Sequence, residues 1–502
     1  MTNLSSRRAL LGAAVAAALA GAARAQDRPD AGTSSLAAAA GIVVTHHEVT
    51  IAGRRLRYTA RAGLIPIRVN ATGEIHGRIY FISYTLDGPP AKTPRPLTFV
   101  WNGGPGSSSS LVHLIGFGPK RLAPDGKVVP NDGTWLGVTD LVFVDPVGTG
   151  YSRPASAEFG HEFYSDRGDA ESVAEFIRVY LARAERWDAP LFLAGESFGV
   201  RRAARVADVL ERHGTAVRGV MLMGLGLPMD TLRAAVSAAL AVPTYTAGAF
   251  YHHKLSAALQ KDLTRAIDSS RHWATNEYAP ALQHRDSLTD AERAAVRERL
   301  AMYTGIPAAN IDPKTLTITL EQFAQQLLRA ESKVIGRYDT RLTGPIDTAE
   351  KEFDPTKDPS LKSIIDDHAV VRYMRAELRY ESDLKYQGPF GGGFPPATSF
   401  RGDWMSVKWD WNPPVDSSSP PDPRPPLRRA LQADPRLRVF IACGYYDLMC
   451  DFVANEFAAT HVGETLAPRI AAHSYAGGHA VYTDDAARRR LQRDVTAFIE
   501  GQ

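Results

Sequence analysis

Ser197 stands in Gly195-Glu196-Ser197-Phe198-Gly199, between the apolar run Ala189-Pro190-Leu191-Phe192-Leu193-Ala194 and the helix-favouring stretch Val200-Arg201-Arg202-Ala203-Ala204-Arg205-Val206-Ala207. A strand, a tight turn and a helix with a serine at the apex suit nucleophilic catalysis. The glycines let the chain turn sharply, the hydroxyl stands clear, and the backbone N–H groups that follow face a developing oxyanion. The pentapeptide is short and needs partners: a base to take the Ser197 proton, and an acid to hold that base in the right tautomer. In doubly wound hydrolases these follow the nucleophile in the order acid, then histidine. Asp447, in Gly444-Tyr445-Tyr446-Asp447, comes just beyond an apolar run that reads as a buried strand, and His479, in Ala476-Gly477-Gly478-His479, sits in a glycine-rich loop ahead of the last helix. Upstream, Trp101-Asn102-Gly103-Gly104-Pro105-Gly106-Ser107-Ser108-Ser109 lacks side chains at three positions. Such a loop can bring an N–H against an oxyanion, although alone it reads equally as a tight strand-to-helix turn.

These residues need a frame that places loops side by side. The segment 42–86 alternates apolar and polar residues in short runs, such as His47-Glu48-Val49-Thr50-Ile51, and predicts antiparallel strands. Leu97-Thr98-Phe99-Val100-Trp101 and Leu141-Val142-Phe143-Val144 are continuous apolar runs, the mark of central strands buried on both faces. An amphipathic helix is predicted over 166–186 and a closing helix over 486–499. Strands alternating with helices predict an α/β fold, a mostly parallel central sheet covered on both faces. From about Pro228 to Arg401 the pattern turns helical, with long helices expected over 247–269 and 290–303. The division expected is an export signal over 1–25, a low-complexity segment over 26–41, core over 42–227, a helical cap insertion over 228–412, a proline-rich loop over 413–427, and the rest of the core over 428–502.

Within the first segment, Ser6-Arg7-Arg8-Ala9-Leu10-Leu11 leads into an apolar run that ends Ala23-Arg24-Ala25, a small-x-small cleavage pattern before Gln26. The adjacent arginines fit a twin-arginine signal, and a Sec signal with a basic start remains open. The apolar run is shorter than the ~20 residues of a membrane span, so no membrane association is expected after cleavage. Removing Arg7, Arg8 and Arg24 takes Lys+Arg from 58 to 55, against 55 Asp+Glu. That balance gives no electrostatic reason to expect nucleic acid as a partner. The two cysteines, Cys443 and Cys450, fit no zinc spacing; one small-loop disulfide and two free thiols both remain open.

Taken together, these stretches resemble the serine carboxypeptidases of peptidase family S10, in particular an exported bacterial branch. The resemblance rests on Asn102-Gly103-Gly104-Pro105-Gly106-Ser107-Ser108, Phe117-Gly118-Pro119, Val144-Asp145-Pro146-Val147-Gly148-Thr149-Gly150-Tyr151-Ser152, Gly195 to Gly199, Asp447 with Cys450, and Gly478-His479. It implies an α/β-hydrolase fold with an inserted cap and a triad of Ser197, Asp447 and His479. It further implies an oxyanion hole at the N–H groups of Gly104 and Phe198, and Asn102 with a protonated Glu196 binding the free C-terminal carboxylate of a peptide. Cys450 would line a subsite, and no metal or cofactor is implied. Two positions depart from the family: Gly116 stands where its better-known members carry a second glutamate, and Val100 replaces a tryptophan. The carboxylate clamp is therefore expected to be incomplete. Without a like charge at 116, Glu196 is expected to hold its proton less strongly and activity to be less confined to acid pH, unless an acid from the cap substitutes. An esterase or acyltransferase using the same triad is the alternative reading, and an exported binding protein without catalysis a third.

Overall fold

A computed structural model describes residues 41–89, 93–228, 232–346, 357–361, 366–388, 409–411 and 424–501. The expected export signal, nearly all of the low-complexity segment and residues 413–423 of the proline-rich stretch lie outside the described residues. In chain order the strands are β1 (Val43–Ile51), β2 (Arg54–Arg68), β3 (Ile75–Leu86), β4 (Leu97–Trp101), β5 (Lys120–Leu122), β6 (Val128–Pro130), β7 (Asp140–Asp145), β8 (Arg153–Pro154), β9 (Leu191–Glu196), β10 (Gly219–Met223), β11 (Lys333–Ile335), β12 (Thr343–Pro345), β13 (Arg438–Gly444) and β14 (Ile470–Tyr475).

The main sheet has 10 strands, ordered β1-β2-β3-β7-β4-β9-β10-β13-β14, with β8 paired to β3. β1 to β3 and the β3/β7 pair are antiparallel, and from β7 to β14 every neighbour is parallel. The reason is visible in the side chains. All residues of β4, β7, β9 and β10 are buried, because successive side chains enter opposite faces and both faces are covered. Phe99, Leu193, Val220 and Val439 share one core with residues of the helices Asp166–Ala184 and Gly199–Arg212. Val100, Phe192, Met221 and Phe440 enter the other, against Leu491, Val495 and Phe498 of the last helix, Asp485–Glu500. Each such side chain contributes roughly 1.5–3 kcal/mol through burial.

The helix after β8 starts where the Ser165 side chain accepts from Gly168 N and stops at Glu185, which turns left-handed at φ 53°. Between β10 and β13 the described chain is mainly helical, with a separate core of Val242, Tyr245, Trp273, Tyr278, Leu300 and Phe323. Leu448, from the loop after β13, joins that core. The single helix expected over 247–269 is two, Val242–Tyr251 and Leu263–Trp273. His253 adopts φ 56° and ends the first, and the Asp262 side chain caps the second by accepting from Arg265 N. The 290–303 expectation matches Asp290–Thr304, held by a Thr289/Glu292 capping box. The antiparallel β11/β12 pair within this helical region was not expected. Pro426, at the end of the proline-rich stretch, opens the helix Pro426–Ala433, since proline fits the first helical turn.

Candidate active site

The three triad candidates and Asn102 each lie just past the carboxyl end of a parallel strand, Asn102 after β4, Ser197 after β9, Asp447 after β13 and His479 after β14, and Glu196 is the last residue of β9. This edge is where open α/β sheets gather their functional loops. Ser197 takes φ 57°, a left-handed conformation that non-glycine residues rarely adopt, and its N–H donates to Met223 O at 2.8 Å. The tight elbow depends on its glycines. A Cβ at Gly195 would fall 2.0 Å from Gly199 O, and one at Gly103 would fall 2.4 Å from Phe198 N. The glycine-rich loop is thus pressed directly against the Ser197 turn, with Gly104 next in chain and turned to φ 96°.

Asp447 is fully buried. Its Oδ2 lies 2.8 Å from His479 Nδ1 and its Oδ1 accepts from Met449 N at 2.8 Å. His479 N donates to Tyr338 O at 2.6 Å, and the Tyr338 ring stands edge-on to the imidazole at 5.1 Å. The short segment after β11 therefore helps hold the histidine. His479 Nε2 is buried with no hydrogen-bond partner among the described residues, and Glu196 Oε1 is 4.0 Å away. Burial works against a charged imidazole, yet the Asp447 carboxylate and its hydrogen bond, with Glu196 behind them, outweigh it and carry His479 up to about 9.

Glu196 is 4% exposed, and Asn102 Nδ2 donates to its Oε2 at 2.6 Å. Burial pushes this carboxyl above the ordinary glutamate range, with the Asp447 charge adding to the effect against the pull of His479 and Asn102. Desolvation raises Glu196 without an acid at position 116, and among the described residues the side chain standing against Gly116 is the Tyr482 ring.

Sequence reasoning missed the supports of this arrangement. Arg202, 1% exposed, donates from Nη1 to Asn102 O at 2.7 Å and from Nε to Asp169 Oδ2 at 2.6 Å, tying the Asn102 loop to two helices. Asp145 Oδ1 accepts from both Ser109 N and Ser109 Oγ at 2.7 Å, and burial carries its carboxyl up to about 6. The Asp145 motif was legible; its grip on the glycine-rich loop was not. Cys443 and Cys450 are both buried and adjacent, with sulfurs 2.6 Å apart. Burial pushes the Cys450 thiol well up. Among the described residues no group of three or more His, Cys, Asp or Glu side chains could hold a metal ion, and no helix is long and apolar enough to cross a membrane.

Residues 56–386 match the family described as serine carboxypeptidase. The chain is 31% identical over 162 residues to the pheromone-processing carboxypeptidase KEX1 of Saccharomyces cerevisiae, covering 30% of this chain and 22% of that protein. It is 36% identical over 130 residues to kex1 of Neurospora crassa, covering 24% and 18%. The chain spans about a fifth of the length of these curated relatives. Over the whole fold it is similar to the crystal structure of KEX1(delta)p, a prohormone-processing carboxypeptidase from Saccharomyces cerevisiae, with a TM-score of 0.54, 15% identity, and 88% of this chain and 91% of that chain covered. The fold is that of the α/β-hydrolases. With its family match running from β2 through the Ser197 turn into the helical region, this chain belongs to the serine carboxypeptidase family.

Proposed function

We propose that the protein is a serine carboxypeptidase that removes the last residue of a peptide through an acyl-enzyme on Ser197. His479 Nε2 takes the Ser197 proton while Asp447 holds Nδ1–H and stabilises the imidazolium that forms. The N–H groups of Gly104 and Phe198 receive the oxyanion. His479 then hands its proton to the departing amine, and water, activated by the same imidazole, hydrolyses the ester. Asn102 and a protonated Glu196 hold the free carboxylate of the leaving residue, and Cys450 lines a subsite.

The observation that carries this reading is the buried Glu196 carboxyl, raised by its surroundings and joined to Asn102, 4.0 Å from the histidine base. A neutral acid donor beside a triad suits the recognition of a carboxylate next to the scissile bond, which an esterase does not need. The helical region over 228–412 is assigned as a cap, supported by the shared packing of Leu448 with its core. Residues 1–25 are assigned as the export signal, supported by their basic start, apolar run and small-x-small end.

The deciding test is mass spectrometry of peptides incubated with the chain from Gln26 onward, beside Ser197→Ala. Stepwise loss of C-terminal residues, absent in the variant and with C-terminally amidated peptides, is the expected result. Intact peptides together with Ser197-dependent ester cleavage would move the assignment to an esterase or acyltransferase.

A further inference from the structure

Tyr482 follows His479 by three residues, in the single turn Val481–Thr483 before the last helix. The residue is 1% exposed. Its ring lies edge-on to Phe117 at 5.1 Å and fills the space beside Gly116, where an added Cβ would meet the ring at 3.4 Å. Aromatic packing therefore fixes the ring, and through it the place of the hydroxyl. That hydroxyl is buried and makes no hydrogen bond of ordinary geometry among the described residues; the Asn102 amide faces its oxygen, and its own hydrogen has no acceptor. It stands beside the Asn102 amide and within electrostatic reach of the Glu196 carboxyl.

A buried hydroxyl left unsatisfied is costly and asks for an explanation. His479 Nε2 is also without a partner among the described residues, and it has its user in the proposed proton transfer. For the Tyr482 hydroxyl, the donors nearby are informative. Asn102 Oδ1 is taken by Val112 N at 3.1 Å and one Nδ2 hydrogen goes to Glu196; the other faces the Tyr482 oxygen, which leaves the phenol hydrogen to be donated. A carboxylate offers about four lone-pair directions, more than Asn102 and Glu196 can fill. The charged groups that act on Glu196 are His479 and Asp447, and no arginine or lysine is among them. Apart from the His479 imidazole, carboxylate binding at this spot is then left to neutral donors, and burial holds the Tyr482 phenol in its neutral, donating form.

We propose that the Tyr482 hydroxyl is a third donor to the α-carboxylate of the residue being released, its ring occupying the room that Gly116 leaves. This rests on the carboxypeptidase reading and deepens it: the clamp is not incomplete but is finished by a phenol from the loop that carries the histidine.

The test uses the full mature chain and Tyr482→Phe on one peptide in two forms, with a free and with an amidated C-terminus. Phenylalanine keeps the ring against Gly116 and Phe117 and removes only the hydroxyl, so the fold is retained; fluorophosphonate labelling of Ser197 verifies it. The expected result is a fall of about 10- to 100-fold in the preference for the free-carboxylate peptide, read as kcat/KM and appearing chiefly in KM, the range of a hydrogen bond to a charged group. A preference within twofold of wild type overturns the proposal, and so does an equal loss on both peptides. If the wild-type chain itself shows no preference for the free carboxylate, the carboxypeptidase reading fails, and the proposal with it.

Discussion

The two halves of the site are made of different materials. The half assigned to bond breaking is charged and tightly linked, with Asp447 bound to His479 at 2.8 Å and to the Met449 N–H at 2.8 Å. The half assigned to recognition, Asn102, Glu196 and Tyr482, is pushed toward its neutral forms by burial and has one internal hydrogen bond of ordinary geometry, Asn102 to Glu196. In the proposed mechanism charge serves the first half, where an imidazolium is stabilised as it forms, and neutrality serves the second, where a fixed carboxylate would repel the incoming one. The halves meet at the 4.0 Å gap between His479 Nε2 and Glu196 Oε1, so a change in one is expected to be felt in the other.

The largest effect is expected where the charged half is broken. Asp447→Asn preserves the shape but removes the carboxylate, so His479 loses its orienting partner. The kcat should drop on the order of 10⁴-fold, while KM for the free-carboxylate peptide stays within a few-fold. The Asp447 charge is also a main reason that His479 is raised to about 9. The pH dependence of fluorophosphonate labelling in the variant should therefore shift downward. A large rise in KM instead would show that the two halves cannot be separated in this way.

A smaller effect is expected from the support the halves share. Arg202 and Asp169 form a buried ion pair at 2.6 Å, and Arg202 also holds Asn102 O. Arg202→Met leaves Asp169 buried without its partner, which should cost about 3–5 kcal/mol in stability, measured by denaturant unfolding. The double variant Arg202→Met/Asp169→Leu should recover most of that loss. It should not recover kcat/KM, because the hydrogen bond to the Asn102 carbonyl is still missing. Recovery of both would reduce Arg202 to a packing role.

The charged half was largely legible in the sequence, and the neutral half only in part. Ser197 announces itself through two glycines and a change from strand to helix. Asp447 and His479 could be found because fold topology fixes their order and places each beyond a strand. Glu196 and Asn102 were reached only through family resemblance. Tyr482 was not reached at all, since it is one aromatic in a helix-leading turn and its meaning comes from Gly116, Asn102 and Glu196, all distant in sequence. Arg202 and Asp169 were likewise hidden: charged residues in amphipathic helices read as solvent-facing, and only the packed helices reveal a pair sealed between them. In the same way β4 was legible as a continuous apolar run. The break at His253 was not, because a non-glycine residue with φ 56° gives no local signal.

The smallest expected effect sharpens the comparison most. Burial raises Glu196 above the ordinary glutamate range, so wild type keeps its acid donor on the acid side and loses it as pH rises through that raised value. Once ionised, Glu196 repels the substrate carboxylate, and KM should climb. Glu196→Gln supplies a neutral donor at every pH. At acid pH its kcat/KM should lie within about 10-fold of wild type, the worth of one redirected hydrogen bond, and its KM should stay flat where that of wild type rises. The substitution also removes one of the charges that raise His479, so the imidazole should lose its proton at lower pH and the acid limb of kcat should move down. A wild-type KM that is flat with pH would mean that Glu196 does not titrate against the substrate carboxylate. Recognition would then rest on Asn102 and Tyr482, whose donors do not change over that range.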